Sequence, residues 1–157
     1  MRDFSLMGID IGTSAVKVLL WRSDGSVRQV RRPAKESYVK VCGSGIPEQD
    51  PVKLWQIVKG CIQEVLKGCD ARSVAGAGLS GHGPSLAAVD CNGDPVSNII
   101  TWMDPRPLMI EECRNAYNGP SFEATAKWIY KQLESAGTDE VREGSVRVLQ
   151  PKDYIGL

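Results

Sequence analysis

Asp10 stands two residues ahead of Gly12-Thr13-Ser14, and Lys17 follows three residues later. A carboxylate at the end of a strand can hold Mg²⁺ directly or through water, because Mg²⁺ prefers oxygen ligands and keeps several waters. Gly12 lets the backbone approach a ligand closely. The Thr13 and Ser14 hydroxyls, with backbone N–H groups aimed into the turn, make a polar nest for phosphate oxygens. Lys17 could neutralise further charge. The alternative is a tight hairpin whose Asp and Thr satisfy only its own backbone. No Walker A pattern and no G-x-G-x-x-G occurs, so neither a P-loop nor a dinucleotide fold is supported.

Ser80-Gly81-His82-Gly83-Pro84-Ser85 is a second candidate. Its glycines and proline leave backbone groups free to meet a small polar ligand, with His82 as a donor to a hydroxyl; the other reading is a sharp crossover with a surface histidine. The third candidate is Trp102-Met103-Asp104-Pro105-Arg106. Here Asp104 serves as an N-cap with Pro105 at the first helical position, or offers its second oxygen to a ligand hydroxyl. Lys127-Trp128 reads as helix surface and packing.

These residues must be positioned by a chain of 157 residues, 42% hydrophobic and 24% charged, in which nineteen basic residues cancel nineteen acidic ones. That suits one globular domain. No basic stripe suited to nucleic acid appears, and no apolar run approaches the ~18–20 residues that span a bilayer. Nor does the N-terminus read as a signal peptide. The five cysteines are odd in number and widely spaced, which with a single histidine argues against a zinc cluster and for free thiols in a reducing, cytoplasmic setting.

Leu6–Asp10, Val16–Trp21 and Val27–Arg32 read as an antiparallel meander, the last two strands joined at Asp24-Gly25. The apolar run of the second strand suits the middle of a sheet. Residues 33–49 read as a loop. Asp50-Pro51 opens a helix whose apolar face is Trp55, Val58, Ile62, Val65, Leu66 and Cys69. Val74–Leu79 is a strand, and Leu86–Asp90 and Val96–Thr101 flank the turn Asn92-Gly93. A helix opens at Asp104, another carries Phe122, Thr125, Ala126, Ile129, Leu133 and Ala136 on one face, and Val146–Leu149 is a last strand. Hairpins interleaved with helical crossovers predict an α/β fold, a mixed sheet with helices packed on it.

Taken in order, these segments resemble the N-terminal domain of the FGGY carbohydrate kinases, most closely the xylulokinase-like branch. The resemblance rests on Gly8-Ile9-Asp10-Ile11-Gly12-Thr13-Ser14 with Lys17, Glu48-Gln49-Asp50-Pro51 with Trp55, and Gly78-Leu79-Ser80-Gly81. It continues through Asp90 with Gly93 and Pro95, Thr101-Trp102-Met103-Asp104 with Arg106, Lys127-Trp128-Ile129 and Pro151-Lys152-Asp153-Tyr154. It implies the ribonuclease-H-like fold of the actin/hexokinase/Hsp70 superfamily, with ATP and Mg²⁺ as cofactors and a sugar or polyol as substrate. By matching position, Asp10 is the aspartate linked to Mg·ATP, and Gly12, Thr13, Ser14 and Lys17 grip phosphate. His82, Gly83 and Pro84 fall where relatives contact sugar, and Asp104 and Arg106 sit at the segment closing that pocket.

Xylulokinases usually carry Gln-Met-His-Gly after the Ser-Gly, and glycerol kinases Gln-Arg-Glu; here the run is His82-Gly83-Pro84-Ser85. Neither xylulose nor glycerol therefore carries over, and a different ketose or polyol is expected. The resemblance covers residues 1–157 as one N-terminal domain. It implies that the C-terminal kinase domain, with the general base and the adenine pocket, lies outside this chain, and that the fragment alone is inactive. A non-catalytic sugar- or nucleotide-binding module of the same fold is the alternative. The oligomeric state, a homo-oligomer included, is left open.

Overall fold

The computed structural model of the chain describes residues 3–40, 46–110 and 120–157. They form two units, residues 3–37 with 52–81 and residues 38–51 with 82–157.

In the first unit β1 (Ser5–Ile11), β2 (Ala15–Arg22) and β3 (Val27–Pro33) form the expected meander, and β6 (Val74–Gly81) completes a four-stranded sheet in the order β3-β2-β1-β6. The β1–β2 and β2–β3 pairs are antiparallel, and the β1–β6 pair is parallel. The parallel pair needs a crossover, supplied by α1 (Pro51–Val65). Side chains alternate along a strand, so Met7, Ile9 and Ile11 of β1 point one way with Val16, Val18 and Leu20 of β2, and all are buried. The buried side chains of α1 are Leu54, Ile57, Val58, Cys61 and Val65. The apolar stripe thus runs through Leu54, Ile57 and Cys61, whereas Trp55, Ile62, Leu66 and Cys69 are only half-buried. Although β2 is interior to the sheet as expected, only one of its faces is covered: Lys17 and Leu19 are exposed.

In the second unit β4 (Tyr38–Lys40) pairs with β5 (Pro47–Gln49), and β7 (Ala87–Val89) with β8 (Arg147–Leu149). The stretch read as a loop therefore holds two short strands. Their residues alternate too briefly to show a period, and tertiary pairing, including the bridge Gln49–Ile99, selects their conformation. Where a full strand was expected over 96–101, isolated bridges Val89–Pro95 and Leu86–Ile100 appear instead. α2 (Phe122–Ala136), α3 (Asp139–Arg142) and α4 (Pro151–Ile155) follow. Leu86, Ala88, Ile100, Ile129, Leu133 and Val146 form the core. Phe122, placed by its spacing on the apolar face of α2, is 46% exposed.

The helix expected to open at Asp104 is a 3₁₀ turn, Arg106–Met109, capped by Pro105; residues 111–119, where it would continue, lie outside the described residues. Cys61, Cys69 and Cys91 are free thiols, as expected, and Cys42 and Cys113 fall outside the described residues. Among the described residues no helix is long and apolar enough to cross a membrane.

Leu54 is fully buried. Leu54→Ala is expected to cost about 2–5 kcal/mol, the range for emptying a well-packed leucine site, measured as the loss of unfolding free energy in a urea titration of the chain.

Candidate active site

In the first unit the antiparallel register sets Lys17 directly across from Asp10. Because Ile9 and Ile11 are buried, alternation turns Asp10 onto the opposite, open face. There its Oδ2 accepts from Lys17 Nζ at 3.0 Å, with both side chains about half exposed (47% and 48%). An ion pair this wet contributes roughly 0–1 kcal/mol, so Lys17 can exchange Asp10 for another anion at little cost. In the parallel register Ser80 lies beside Asp10.

The turn after Asp10 is as tight as its residues allow. Gly12 N–H donates to Ala15 C=O at 3.1 Å, and Ser14 C=O accepts from Ala34 N–H at 3.0 Å, tying the turn to the end of β3. A Cβ on Gly12 would lie 2.9 Å from the Ala15 carbonyl oxygen, so glycine is required here. Ser14 is exposed, and Gly12 and Thr13 are half-buried. Among the described residues no cluster of three or more His, Cys, Asp or Glu side chains is arranged to hold a metal. Asp10 is a single carboxylate. It fits a Mg²⁺ that keeps its waters and is shared with phosphate oxygens, the usual mode for nucleotide-bound Mg²⁺.

In the second unit His82 is held at both ring nitrogens: Nδ1 is 2.8 Å from Ser85 Oγ, and Nε2 3.2 Å from Gln49 Oε1. Ser85 Oγ accepts from the Trp102 backbone N–H at 3.0 Å. The Gln49 amide oxygen only accepts, so Nε2–H donates to it, and in the neutral ring Nδ1 then accepts from the Ser85 hydroxyl. Gln49 and Ser85 are fully buried. Next to His82, a Cβ on Gly83 would meet Phe122 Cζ at 3.1 Å and Gln150 Oε1 at 3.7 Å. The exposed Phe122 ring therefore stands against the Gly83–Pro84 backbone.

Asp104 and Arg106 belong to a different set of contacts. The Asp104 carboxylate, 1% exposed, accepts from the Arg106 backbone N–H at 2.9 Å and from Nε at 3.0 Å at both oxygens. Arg106 Nη2 donates to Asp104 Oδ2 at 2.5 Å and to Glu48 Oε1 at 2.6 Å. Asn98 Nδ2 donates to Glu48 Oε2 at 3.0 Å, and the guanidinium lies 5.5 Å from the centre of the Trp128 ring. Hydrogen bonding to Asp104 first, then to Glu48, raises the Arg106 pKa above that of a free arginine, against the opposing effect of burial. Glu48 and Gln49 are consecutive on β5, so their side chains leave on opposite sides. The His82 and Arg106 groups thus lie to either side of that strand.

Gln49, Ser85, Glu48 and Phe122 were given no role from the sequence. The first and third sit in the stretch read as loop, where no period signals an inward-facing side chain. Ser85 reads in the sequence only as the end of a turn, and Phe122 fits a core spacing.

The pattern described as the FGGY family of carbohydrate kinases, N-terminal domain, matches residues 5–135. The xylulose kinase of Staphylococcus epidermidis is 32% identical over 111 residues, 69% of this chain and 22% of that protein. The glycerol kinase of Aquifex aeolicus is 29% identical over 103 residues, 64% of this chain and 20% of that protein. The crystal structure of xylulose kinase from Rhodospirillum rubrum superposes with a TM-score of 0.71 at 19% identity, covering 99% of this chain and 33% of that one. At that identity the likeness establishes the fold, the α/β actin/hexokinase-like fold of these kinases. The chain spans about a fifth of the length of those two curated relatives and a third of the solved structure. With its match extending over most of the described residues, the chain belongs to the FGGY family of carbohydrate kinases and corresponds to their N-terminal domain.

Proposed function

We propose that the chain is the N-terminal part of an ATP-dependent carbohydrate kinase, in which a sugar or polyol hydroxyl attacks the γ-phosphoryl of Mg·ATP. The single observation that carries this reading is the half-exposed Asp10 carboxylate, paired with Lys17 ahead of a turn that admits only glycine at position 12. Bound Mg·ATP supplies the transferable phosphoryl group and the charge that offsets its oxygens. Asp10 holds the metal's water shell; Gly12, Thr13 and Ser14 bind phosphate oxygens; and Lys17, released from Asp10, neutralises the remaining negative charge. Phosphoryl transfer depends mainly on such positioning and electrostatics.

The second unit takes the sugar. His82, with both nitrogens engaged, orients the Gly83–Pro84 backbone, and backbone groups there with the Phe122 ring meet the substrate. Asp104 and Arg106 support the same segment by fixing the course of the chain after the exposed Trp102 and Met103. The proton leaving the attacking hydroxyl needs a general base within hydrogen-bond reach. His82, with both ring nitrogens already hydrogen-bonded, is unsuited to that, and the remainder of the kinase supplies the group. A ketose or polyol is the substrate class, since the side chains that relatives place after the Ser-Gly are replaced here by backbone.

Three outcomes test this reading. Asp10→Ala in the longer kinase is expected to lower kcat by about 10²–10³-fold, the scale for losing one preorganised electrostatic group, with the sugar KM little changed; near-normal turnover refutes the role. Ser85→Ala removes the acceptor of the part-buried Trp102 N–H, worth about 1–3 kcal/mol, so the sugar KM should rise about five- to 140-fold at 1.4 kcal/mol per tenfold, with the ATP KM unchanged. The purified 157-residue chain should release no ADP above background when given Mg·ATP and a panel of ketoses and polyols.

A further inference from the structure

A run of hydrogen bonds crosses the second unit from the Trp102 backbone N–H to Ser85 Oγ (3.0 Å), on to His82 Nδ1 (2.8 Å), and from His82 Nε2 to Gln49 Oε1 (3.2 Å). Its inner members are reversible. A serine hydroxyl donates or accepts, and either nitrogen of a neutral imidazole can carry the proton. The Trp102 N–H does not decide between the two directions, because a serine oxygen can accept from it and from Nδ1–H together. The Gln49 amide oxygen does decide, since it accepts only. Its place is fixed as well. Gln49 is fully buried, and its backbone is held on both sides. It pairs with Tyr38 of β4, while its N–H donates to Ile99 C=O at 3.1 Å and its C=O accepts from Ile99 N–H at 2.7 Å. With the proton on Nδ1 instead, Nε2 would face that oxygen as acceptor against acceptor. Ser85, also fully buried, would have to turn its hydroxyl proton away from the ring. Mismatches of this kind between buried polar groups are strongly disfavoured.

We propose that Gln49 is a positioning residue of the sugar site: its amide locks His82 in the Nε2–H tautomer. The bare Nδ1 then draws the Ser85 hydroxyl proton, and a serine lone pair is left for the Trp102 N–H. This rests on the proposed function, because the sugar site belongs to that reading. The lock joins three stretches distant in sequence, at Gln49, at His82–Ser85 and at Trp102, into one frame. The second of these carries the Gly83–Pro84 backbone set against the sugar, and the third leads into Asp104. Reciprocal bonds between Leu86 and Ile100, at 3.0 and 2.8 Å, extend the same connection. Fully buried, Gln49 meets no substrate and acts through the imidazole, whose protonated nitrogen is chosen by the bonds it makes.

His82 is the single histidine of the chain, so long-range proton–nitrogen NMR correlations read its ring without ambiguity. With the ring neutral, the unsubstituted 157-residue chain should show a protonated Nε2 and a bare Nδ1. Gln49→Leu should convert this into a mixture of tautomers or into the Nδ1–H form. In the longer kinase Gln49→Leu should raise the sugar KM about tenfold, the scale of one buried hydrogen bond lost, with kcat and the ATP KM little changed. His82→Phe should do the same. The double variant should be no worse than either single one, because residues that act through one another are not additive. An Nδ1–H tautomer in the unsubstituted chain overturns the proposal without recourse to any variant, and so does a Gln49→Leu spectrum identical to it. A double variant whose sugar KM rises by the product of the single effects also overturns it, and assigns Gln49 to packing. The expected spectra in a longer protein without ATP-dependent phosphorylation of any ketose or polyol sink the kinase reading and leave the lock standing. Turnover with the opposite tautomer does the reverse.

Discussion

Period-two alternation along β1 governs everything chemical in the first unit. Ile9 and Ile11 are committed to the side of the sheet that meets α1, each buried aliphatic side chain being worth roughly 1.5–3 kcal/mol. A slip of one residue would expose both and bury a carboxylate, which is why the register is strongly specified. Asp10 therefore faces away from α1 not because anything there attracts it but because its neighbours cannot. Lys17 is placed by the same rule from β2, between the buried Val16 and Val18. The weak ion pair that results would suit the proposed phosphate site, because little stability is lost when the pair opens.

The second unit uses charge differently. Arg106 is one cation shared between two carboxylates, with an aromatic ring on its face and its backbone tied to the same Asp104 oxygen that its side chain grips. Burying such a group gains little net free energy over an apolar replacement, while removing one partner strands a buried charge at a cost of about 3–5 kcal/mol. Its contribution is thus to conformation: three-way bonding fixes the chain between Thr101 and Met109, where Trp102 and Met103 stay exposed. Planar, bidentate geometry explains why arginine rather than lysine occupies the position. The exposed ion pair at Asp10 and the buried one at Arg106 are both Asp-to-cation contacts; solvent leaves the first exchangeable, whereas burial, the second carboxylate of Glu48 and bidentate geometry fix the second.

The elements with long, strong periods were legible in the sequence: the meander, the crossover helix and α2. So were the turns at Asp24-Gly25 and Asn92-Gly93, where the glycines take φ of 86° and 90°. What escaped were features decided by tertiary contact. The strands β4 and β5 have three residues each, too few for alternation to register. The helix expected from Asp104-Pro105 looked well capped, but the Asp104 carboxylate bonds the N–H of Arg106 and then its side chain, and a 3₁₀ turn follows. For the candidate site, Asp10 and its turn could be named because their chemistry is local. Gln49 could not, since nothing in Glu48-Gln49-Asp50-Pro51 announces that one amide meets a histidine thirty-three positions on.

The run His82-Gly83-Pro84-Ser85 combines an anchored imidazole with an open stretch of backbone. A side chain longer than hydrogen at 83 would press on the Phe122 ring, so glycine at this position and the place of the ring go together. Here the chain presents main-chain groups beside an aromatic face. Backbone groups are fixed in direction and carry no rotamer entropy, while an aromatic face favours C–H-rich surfaces over hydroxyls. The imidazole is anchored through both nitrogens, each bonded to a fully buried side chain. Under the proposed function, discrimination would rest on the shape of that backbone wall, and a sugar would have to match it in outline more than in its count of hydroxyl groups.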